Sequence, residues 1–479
     1  MRNYLFLFFI LVQFNCKVTE EIAQQPNVVF ILVDDLGWAD LGCYGSTFYE
    51  TPNLDRLAAE SVRFTNAYAA HPVCSPTRAA IMSGKNPARL HMTDWIPGRP
   101  TEKADNPSLI TPEDLHNLPA AEITLAETFQ KAGYKTCFVG KWHLGETEAS
   151  WPQAHGFDVN KGGCNWGSPS FGGGGGYYAP YGNPQLADGP DGEYLTDRLT
   201  NESIQFIEAS ADQPFFLYLS FYTVHTPIEG CKTYDDIYRQ KQEQLPDSGI
   251  IESVVEHDGL TRINQSNAKY AAMLRSLDDN VGRLIDALKA SGNWENTMLV
   301  FTSDNGGLST LRKPGPTSVK PLRAGKGWCY EGGIRVPLII KYPSMVSRGT
   351  TTDAPAISMD YYPTLLDFCN LPKMADQHQD GISLRTILEN PNDQQNRTFV
   401  WHYPHYHGSM WRPGSAIRKN DWKLVHFYEG DQVELFDLSE DLREQIDLAD
   451  SLPDRAALLK AELQSSLAEM NAQMVEKMH

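Results

Sequence analysis

The stretch that decides the fold is Asn27-Val-Val-Phe-Ile-Leu-Val33, followed at once by Asp34-Asp35. From Val28 to Val33 no polar side chain interrupts the run. A continuous apolar, β-branched run is the pattern of a strand covered on both faces, as in a parallel sheet; a strand with one wet face alternates instead. Similar runs recur at 136–139, 215–222, 298–302 and 336–340, with helical patterns at 125–132 and 270–288 between them. Strands alternating with helices predict an α/β body built on a doubly wound, mostly parallel sheet flanked by helices.

From about residue 397 the texture changes to short strand-like pieces at 398–403, 415–418, 422–427 and 433–436, separated by turn residues. This predicts a smaller antiparallel-sheet subdomain. A terminal helix follows, in which Leu459, Leu463, Leu467, Met470 and Met474 recur at helical spacing as a packing stripe. The boundaries read as 1–25 for a targeting segment, 26–385 for the α/β domain and 386–479 for the C-terminal α+β subdomain.

The targeting segment has a positive start at Arg2 and an apolar run too short to span a bilayer. It reads either as an ordinary cleaved signal or as a lipoprotein signal ending at Cys16, which would anchor the chain to lipid. Both place the protein outside the cytoplasm, in the periplasm or at the cell surface. Eight cysteines are scattered through the 479 residues without a CxxC pair, so no zinc ribbon is supported and disulfide pairing stays open. The net charge of -19 excludes a general grip on nucleic acid, which needs clustered Lys and Arg. An anionic substrate would have to be attracted locally.

The chemistry is expected at strand ends. Asp34 and Asp35 close one predicted strand; Asp304 and Asn305 close another, in Val300-Phe-Thr-Ser-Asp-Asn-Gly-Gly307. Ligands of open α/β sheets bind beyond the carboxyl ends of the strands. An all-oxygen set there suits a hard cation such as Ca²⁺ or Mg²⁺ rather than zinc. In His71-Pro-Val-Cys74-Ser-Pro-Thr-Arg78, Pro76 is expected at the first helical position, which puts Cys74 at a helix N-terminus where an anion is favoured, with Arg78 one turn on. Lys141 and His143 would face one side if their strand continued through them; His225 follows another strand, and Lys326 lies in a glycine-rich loop. The run Gly172 to Gly176 lacks the Lys-Ser or Lys-Thr of a phosphate cradle and reads as a loop.

Cys74-Ser-Pro-Thr-Arg78 resembles the C-x-P-x-R signature of type I sulfatases of the alkaline phosphatase superfamily. The likeness continues through Gly140-Lys-Trp-His-Leu-Gly145, Ser303-Asp-Asn-Gly-Gly307, Gly325-Lys-Gly-Trp-Cys-Tyr-Glu-Gly-Gly-Ile-Arg-Val-Pro337 and the Glu434-Leu-Phe-Asp-Leu stretch. The resemblance implies that a maturation enzyme, either formylglycine-generating or anaerobic sulfatase-maturating, oxidises Cys74 to formylglycine. The hydrated aldehyde attacks sulfur with one hydroxyl, and its other hydroxyl is later deprotonated to expel sulfate. By the same resemblance Cys74 joins Asp34, Asp35, Asp304 and Asn305 around the cation, expected to be Ca²⁺ with Mg²⁺ as the alternative. His143 would deprotonate the diol, His225 and Lys326 would hold the sulfate and protonate the departing alcohol, and Arg78 and Lys141 would stabilise charged oxygens.

The substrate side rests on less. Trp401-His402-Tyr-Pro-His405-Tyr-His407 offers aromatic and imidazole groups to a sugar, with His402 and His405 as candidate contacts, against the blander reading of a strand-turn segment with satisfied histidines. The expected substrate is a sulfated carbohydrate of the galactose or N-acetylgalactosamine type. The competing readings are a formylglycine-dependent phosphonate or phosphodiester hydrolase and, with Cys74 left as a thiol, a non-catalytic sulfoglycan-binding protein.

Overall fold

The computed structural model describes residues 25–478 apart from 105, 174, 211, 247–249, 346 and 394. The targeting segment, with Cys16, lies outside the described residues.

The strand Asn27–Val33 is central and all seven of its residues are buried. It pairs in parallel with Thr297–Ser303 on one side and Phe215–Ser220 on the other. The eight-stranded sheet runs Thr350–Thr352, Val62–Phe64, Leu338–Lys341, Thr297–Ser303, Asn27–Val33, Phe215–Ser220, Lys135–Gly140, Val159–Lys161. The last five named are mutually parallel, while Leu338–Lys341 runs antiparallel to both of its neighbours. The strand expected from residue 336 therefore starts two residues later and in the opposite sense. Pro337, which has no N–H to give a ladder, stands just before it.

Register is what makes a site possible. Val33 lies opposite Ser303, Leu32 opposite Ser220, and Gly140 opposite Ser220. Four adjacent parallel strands thus end at one level, and the residues that follow them converge.

Helices cover the sheet. Ala268–Ala290 is opened by the Asn267 side chain, which accepts from the Tyr270 N–H at 3.3 Å, and it buries Met273, Leu277, Val281, Leu284 and Leu288. It packs on Leu195–Ala209 and Lys232–Glu243, two helices not expected from the sequence. Leu125–Lys131 is closed at its start by a capping box between Thr124 and Glu127.

The C-terminal sheet is antiparallel in the order Thr398–Tyr403, Gly414–Lys419, Trp422–Phe427, Gln432–Asp437. Val400, Ile417, Leu424 and Leu435 stand opposite one another across all four strands and pack under the helix Pro453–Glu469 through Leu459, Leu463 and Leu467. Met474 is not part of that stripe. The helix ends at Glu469, Asn471 turns left-handed at φ 53°, and the chain reverses into a short strand, Glu476–Lys477, beside Leu109–Ile110; Met474 is left 46% exposed.

The other face of this sheet packs on the α/β body through Trp401, Val425 and Phe436 against Tyr68, Trp328 and Tyr330. Lys423 lies on that face, fully buried, with Nζ 3.0 Å from Glu331 and 2.8 Å from Glu444. Glu444 in turn accepts the Glu331 backbone N–H at 2.7 Å, so one ammonium ties three segments. Removing it leaves Glu444 without its cation, while Glu331 keeps Arg335 at 3.2 Å and the Tyr68 hydroxyl at 2.7 Å. Lys423→Met is expected to cost about 3–5 kcal/mol, read as a lowered urea midpoint, and adding Glu444→Gln to it should recover part of the loss. No recovery would mean that the ammonium acts through packing alone.

Candidate active site

Asp34 and Asp35 leave the central strand, and Asp35 adopts a left-handed φ of 61°, which turns both consecutive carboxylates into the interior. Asp304 and Asn305 arrive from the neighbouring strand. The Asp35 N–H donates to Asp304 Oδ1 at 3.2 Å and the Asn305 amide donates to Asp35 Oδ1 at 2.8 Å. Three carboxylates share this buried space. Three cations answer them, each from a different segment.

Arg78 donates through Nε and Nη2 to Asp304 Oδ2 at 2.9 and 2.7 Å, and through Nη1 to the Lys141 carbonyl and the Ser220 hydroxyl at 2.6 and 2.7 Å. Its Nη2 also lies 3.8 Å from Asp34. Lys141 Nζ donates to Asp34 Oδ2 at 2.6 Å, and Lys326 Nζ sits 2.6 Å from Asp35 Oδ1. Burial would raise every carboxyl here, and it does push Asp34 up despite Lys141. Against the same burial, Lys326 with His225 holds Asp35 well below the usual range, and Arg78 with Lys141 holds Asp304 down.

Cys74 opens the helix Cys74–Ser83, all of whose residues are buried. Pro76 is therefore third rather than first in the helix; it still lies in the first turn, where a missing N–H costs no helical hydrogen bond. The Cys74 thiol lies 3.3 Å from His143 Nδ1. The other ring nitrogen of His143 meets the Ile96 carbonyl, an acceptor only, so Nε2 carries the proton and Nδ1 presents its lone pair to Cys74. Burial, then Lys141, pushes His143 well below its ordinary pKa. Gly167 is required beside it, because a Cβ there would come within 2.6 Å of the ring.

Lys141 and His143 do not share one face of a continuing strand as expected. The strand ends at Gly140, and His143 is left-handed at φ 57°, so Lys141 points to the acids while His143 points to Cys74. Both reach the site from opposite sides of a turn.

Cys74, His143, His225 and Lys326 line one cleft of about 250 Å³, whose remaining wall includes Trp95, Phe171 and His407. His225 Nε2 is 3.8 Å from Asp35, its Nδ1 meets the Thr226 carbonyl at 2.8 Å, and burial with Lys326 lowers it to about 3. His402 and His405, expected to contact substrate, are not among the lining residues. His402 is 1% exposed and bonded to Ser415 and the Gln473 carbonyl, both at 2.7 Å; His405 is 3% exposed and bonded to Thr93 at 2.9 Å. They are interior residues of the C-terminal subdomain. His407, two positions on and beyond the strand, is the histidine of that segment that reaches the cleft. The seven cysteines among the described residues are free thiols.

A family model described as Sulfatase matches residues 26–371, most of the chain. The chain belongs to the sulfatase family. It is a sulfuric ester hydrolase with the alkaline-phosphatase-like fold. A second model, N-sulphoglucosamine sulphohydrolase, C-terminal, matches 324–473. A sulfatase of Formosa agariphila is 32% identical over 92% of this chain and 88% of its own length. Human N-acetylgalactosamine-6-sulfatase is 32% identical over 75% of this chain and 66% of its own. Among solved structures, Ps i-CgsB superposes with a TM-score of 0.74 at 28% identity over 93% of both chains, and its complex with k-i-k-neocarrahexaose at 0.72.

Sulfatases generally work with a formylglycine and a divalent metal. The residues of this sulfatase fit a hard cation. Among the described residues none hydrogen-bonds the buried Asp34 Oδ1, Asp35 Oδ2 or Asn305 Oδ1, and an oxygen so placed is costly unless something positive faces it.

The Arg78 fork is the most connected group in this cluster. Arg78→Lys keeps the charge but loses the planar set of donors, so a loss of about 3–5 kcal/mol in denaturant unfolding is expected. A loss under about 1 kcal/mol would show that the acids are held without the fork.

Proposed function

We propose that this sulfatase removes sulfate from an exported, sulfated carbohydrate, using a formylglycine made from Cys74 and Ca²⁺ among Asp34, Asp35, Asp304 and Asn305. The observation that carries this reading is the placement of Cys74: at a helix N-terminus on the cleft wall, with the His143 lone pair 3.3 Å from its sulfur and buried, unpartnered acid oxygens behind it.

When present, the formylglycine supplies a hydrated-aldehyde nucleophile and the cation polarises sulfate oxygens. His143 Nδ1, unprotonated in the tautomer set by Ile96, is placed to take and hold a proton from the group at position 74. Lys326, an ammonium in the same cleft, supplies charge to a bound sulfate; His225 gives its Nδ1 proton to the Thr226 carbonyl, so it protonates a departing alcohol from Nε2 only as the imidazolium, a form that the negative charge of a bound sulfate favours. Arg78 and Lys141 hold the acids fixed, so that charge developing on the transferred group meets oriented partners rather than relaxing ones.

The sugar reading draws on likeness. The similarity to N-acetylgalactosamine-6-sulfatase and to a structure holding k-i-k-neocarrahexaose points to galactose- or N-acetylgalactosamine-type glycans. The targeting segment supports a periplasmic or surface location, with Cys16 as the residue a lipid anchor would use, and a formylglycine-generating or anaerobic sulfatase-maturating enzyme as the maturation partner.

Matched esters separate sulfatase from phosphodiesterase chemistry. With 4-nitrophenyl sulfate and bis(4-nitrophenyl) phosphate, kcat/KM is expected to favour the sulfate; a phosphodiester preference of several orders of magnitude would overturn the substrate class. Peptide mass spectrometry of protein from the native host should find an aldehyde at position 74, and Cys74→Ala should lower kcat at least about a thousandfold while leaving the melting temperature near that of the parent. An unmodified thiol together with full turnover would remove Cys74 from the mechanism.

A further inference from the structure

The cleft lining draws on both parts of the chain. Beside the sulfate-handling residues already described it includes His407, which comes from the C-terminal subdomain.

His407 is built into place. The Trp328 indole N–H donates to the Ser409 carbonyl at 2.8 Å, which fixes the turn. The Ser409 backbone N–H then donates to His407 Nδ1 at 3.2 Å, and the Ser409 hydroxyl lies 2.8 Å from the same nitrogen. Gly327, left-handed at φ 83°, brings its backbone against this edge of the ring; a Cβ there would lie 2.1 Å from Nδ1. Any side chain at 327 would drive the imidazole out.

These contacts settle the tautomer. A backbone N–H can only donate, so Nδ1 accepts and the proton resides on Nε2. Among the described residues none hydrogen-bonds Nε2. The side chain lines the cleft, whose rim also carries the Trp95 ring and a 42% exposed Phe171. An N–H donor in a cleft also lined by aromatic side chains matches a sugar ring, which offers C–H faces to aromatics and a hydroxyl or ether oxygen at its edge.

We propose that His407 is a specificity-determining residue that donates from Nε2 to an oxygen of the sugar bearing the sulfate. This rests on the carbohydrate reading above. It assigns to the C-terminal subdomain the choice of alcohol, and leaves sulfur chemistry to the α/β body. Simple aryl sulfates have no such oxygen and gain nothing from the donor.

The test compares the wild type, His407→Ala and His407→Gln, matured and loaded with Ca²⁺, on 4-nitrophenyl sulfate and on a panel of sulfated galactose, sulfated N-acetylgalactosamine and neocarra-oligosaccharides. The alanine variant is expected to lower the ratio of sugar to aryl kcat/KM about tenfold or more, the worth of one hydrogen bond, mainly through KM. Glutamine, which keeps an N–H donor, should restore part of that ratio. Melting temperatures identify a variant that has lost its fold, and the ratio within each protein is insensitive to the fraction active. An unchanged ratio in the alanine variant overturns the proposal while the carbohydrate reading stands. A wild type that turns over the aryl sulfate and none of the sugars overturns the carbohydrate reading, and this proposal with it.

Discussion

Three buried carboxylates at one level of a parallel sheet are the constraint on which the rest of the structure depends. Asp34, Asp35 and Asp304 are each under 3% exposed, and no protein interior tolerates such a cluster without cations brought to it. Arg78, Lys141 and Lys326 meet that requirement from a helix, a turn and a glycine-rich loop. Satisfying the acids therefore fixes three segments at once. The helix that carries Arg78 begins at Cys74, the turn that carries Lys141 continues to His143, and the loop that carries Lys326 continues to Gly327. Electrostatic satisfaction of the cluster places the reactive groups.

The same balance explains how a chain of net charge -19 attracts an anion. Three acids against three bases leave the cluster formally neutral, with His143 and His225 both pushed toward the neutral form by burial. A divalent cation accepted by the free oxygens then has no remaining counter-charge in the protein. A sulfate ester, with its single negative charge, offsets half of it. Local attraction inside a low-dielectric cleft is strong enough to oppose a screened global charge, because solvent and salt screen the surface acids while the cleft groups act at contact.

Much of this was legible in the sequence because it is written locally. An apolar run ending in two acids, and a second ending in Asp304-Asn305, gave both the sheet and the level of the site, since strand burial and strand-end chemistry follow from neighbours in the chain. Three features were not local. The divergence of Lys141 and His143 depends on a left-handed backbone at His143, which an extended reading of the strand misses. His402 and His405 are absorbed by Ser415, the Gln473 carbonyl and Thr93, partners reached only through the tertiary fold. The helix Leu195–Ala209 buries Thr196, Thr200, Glu202 and Ser203 along with its leucines and has no side-chain cap at Tyr194, so its apolar stripe is diluted and its start unmarked.

The C-terminal subdomain is tied to the α/β body by Lys423, one of whose carboxylate partners, Glu331, lies in the segment that also carries Lys326 and Trp328. Trp328 in turn positions Ser409, and Ser409 positions His407. The attachment of the subdomain and the composition of the cleft wall are thus one chain of contacts. Among the described residues no hydrogen bond or ion pair joins His407 to Asp34, Asp35 or Asp304, so a sulfatase organised this way can keep the strand-end acids and the Cys74 helix while changing the residue at 407. The chemistry and the proposed selection meet at Gly327, which follows Lys326 in the chain and lies directly against the His407 ring.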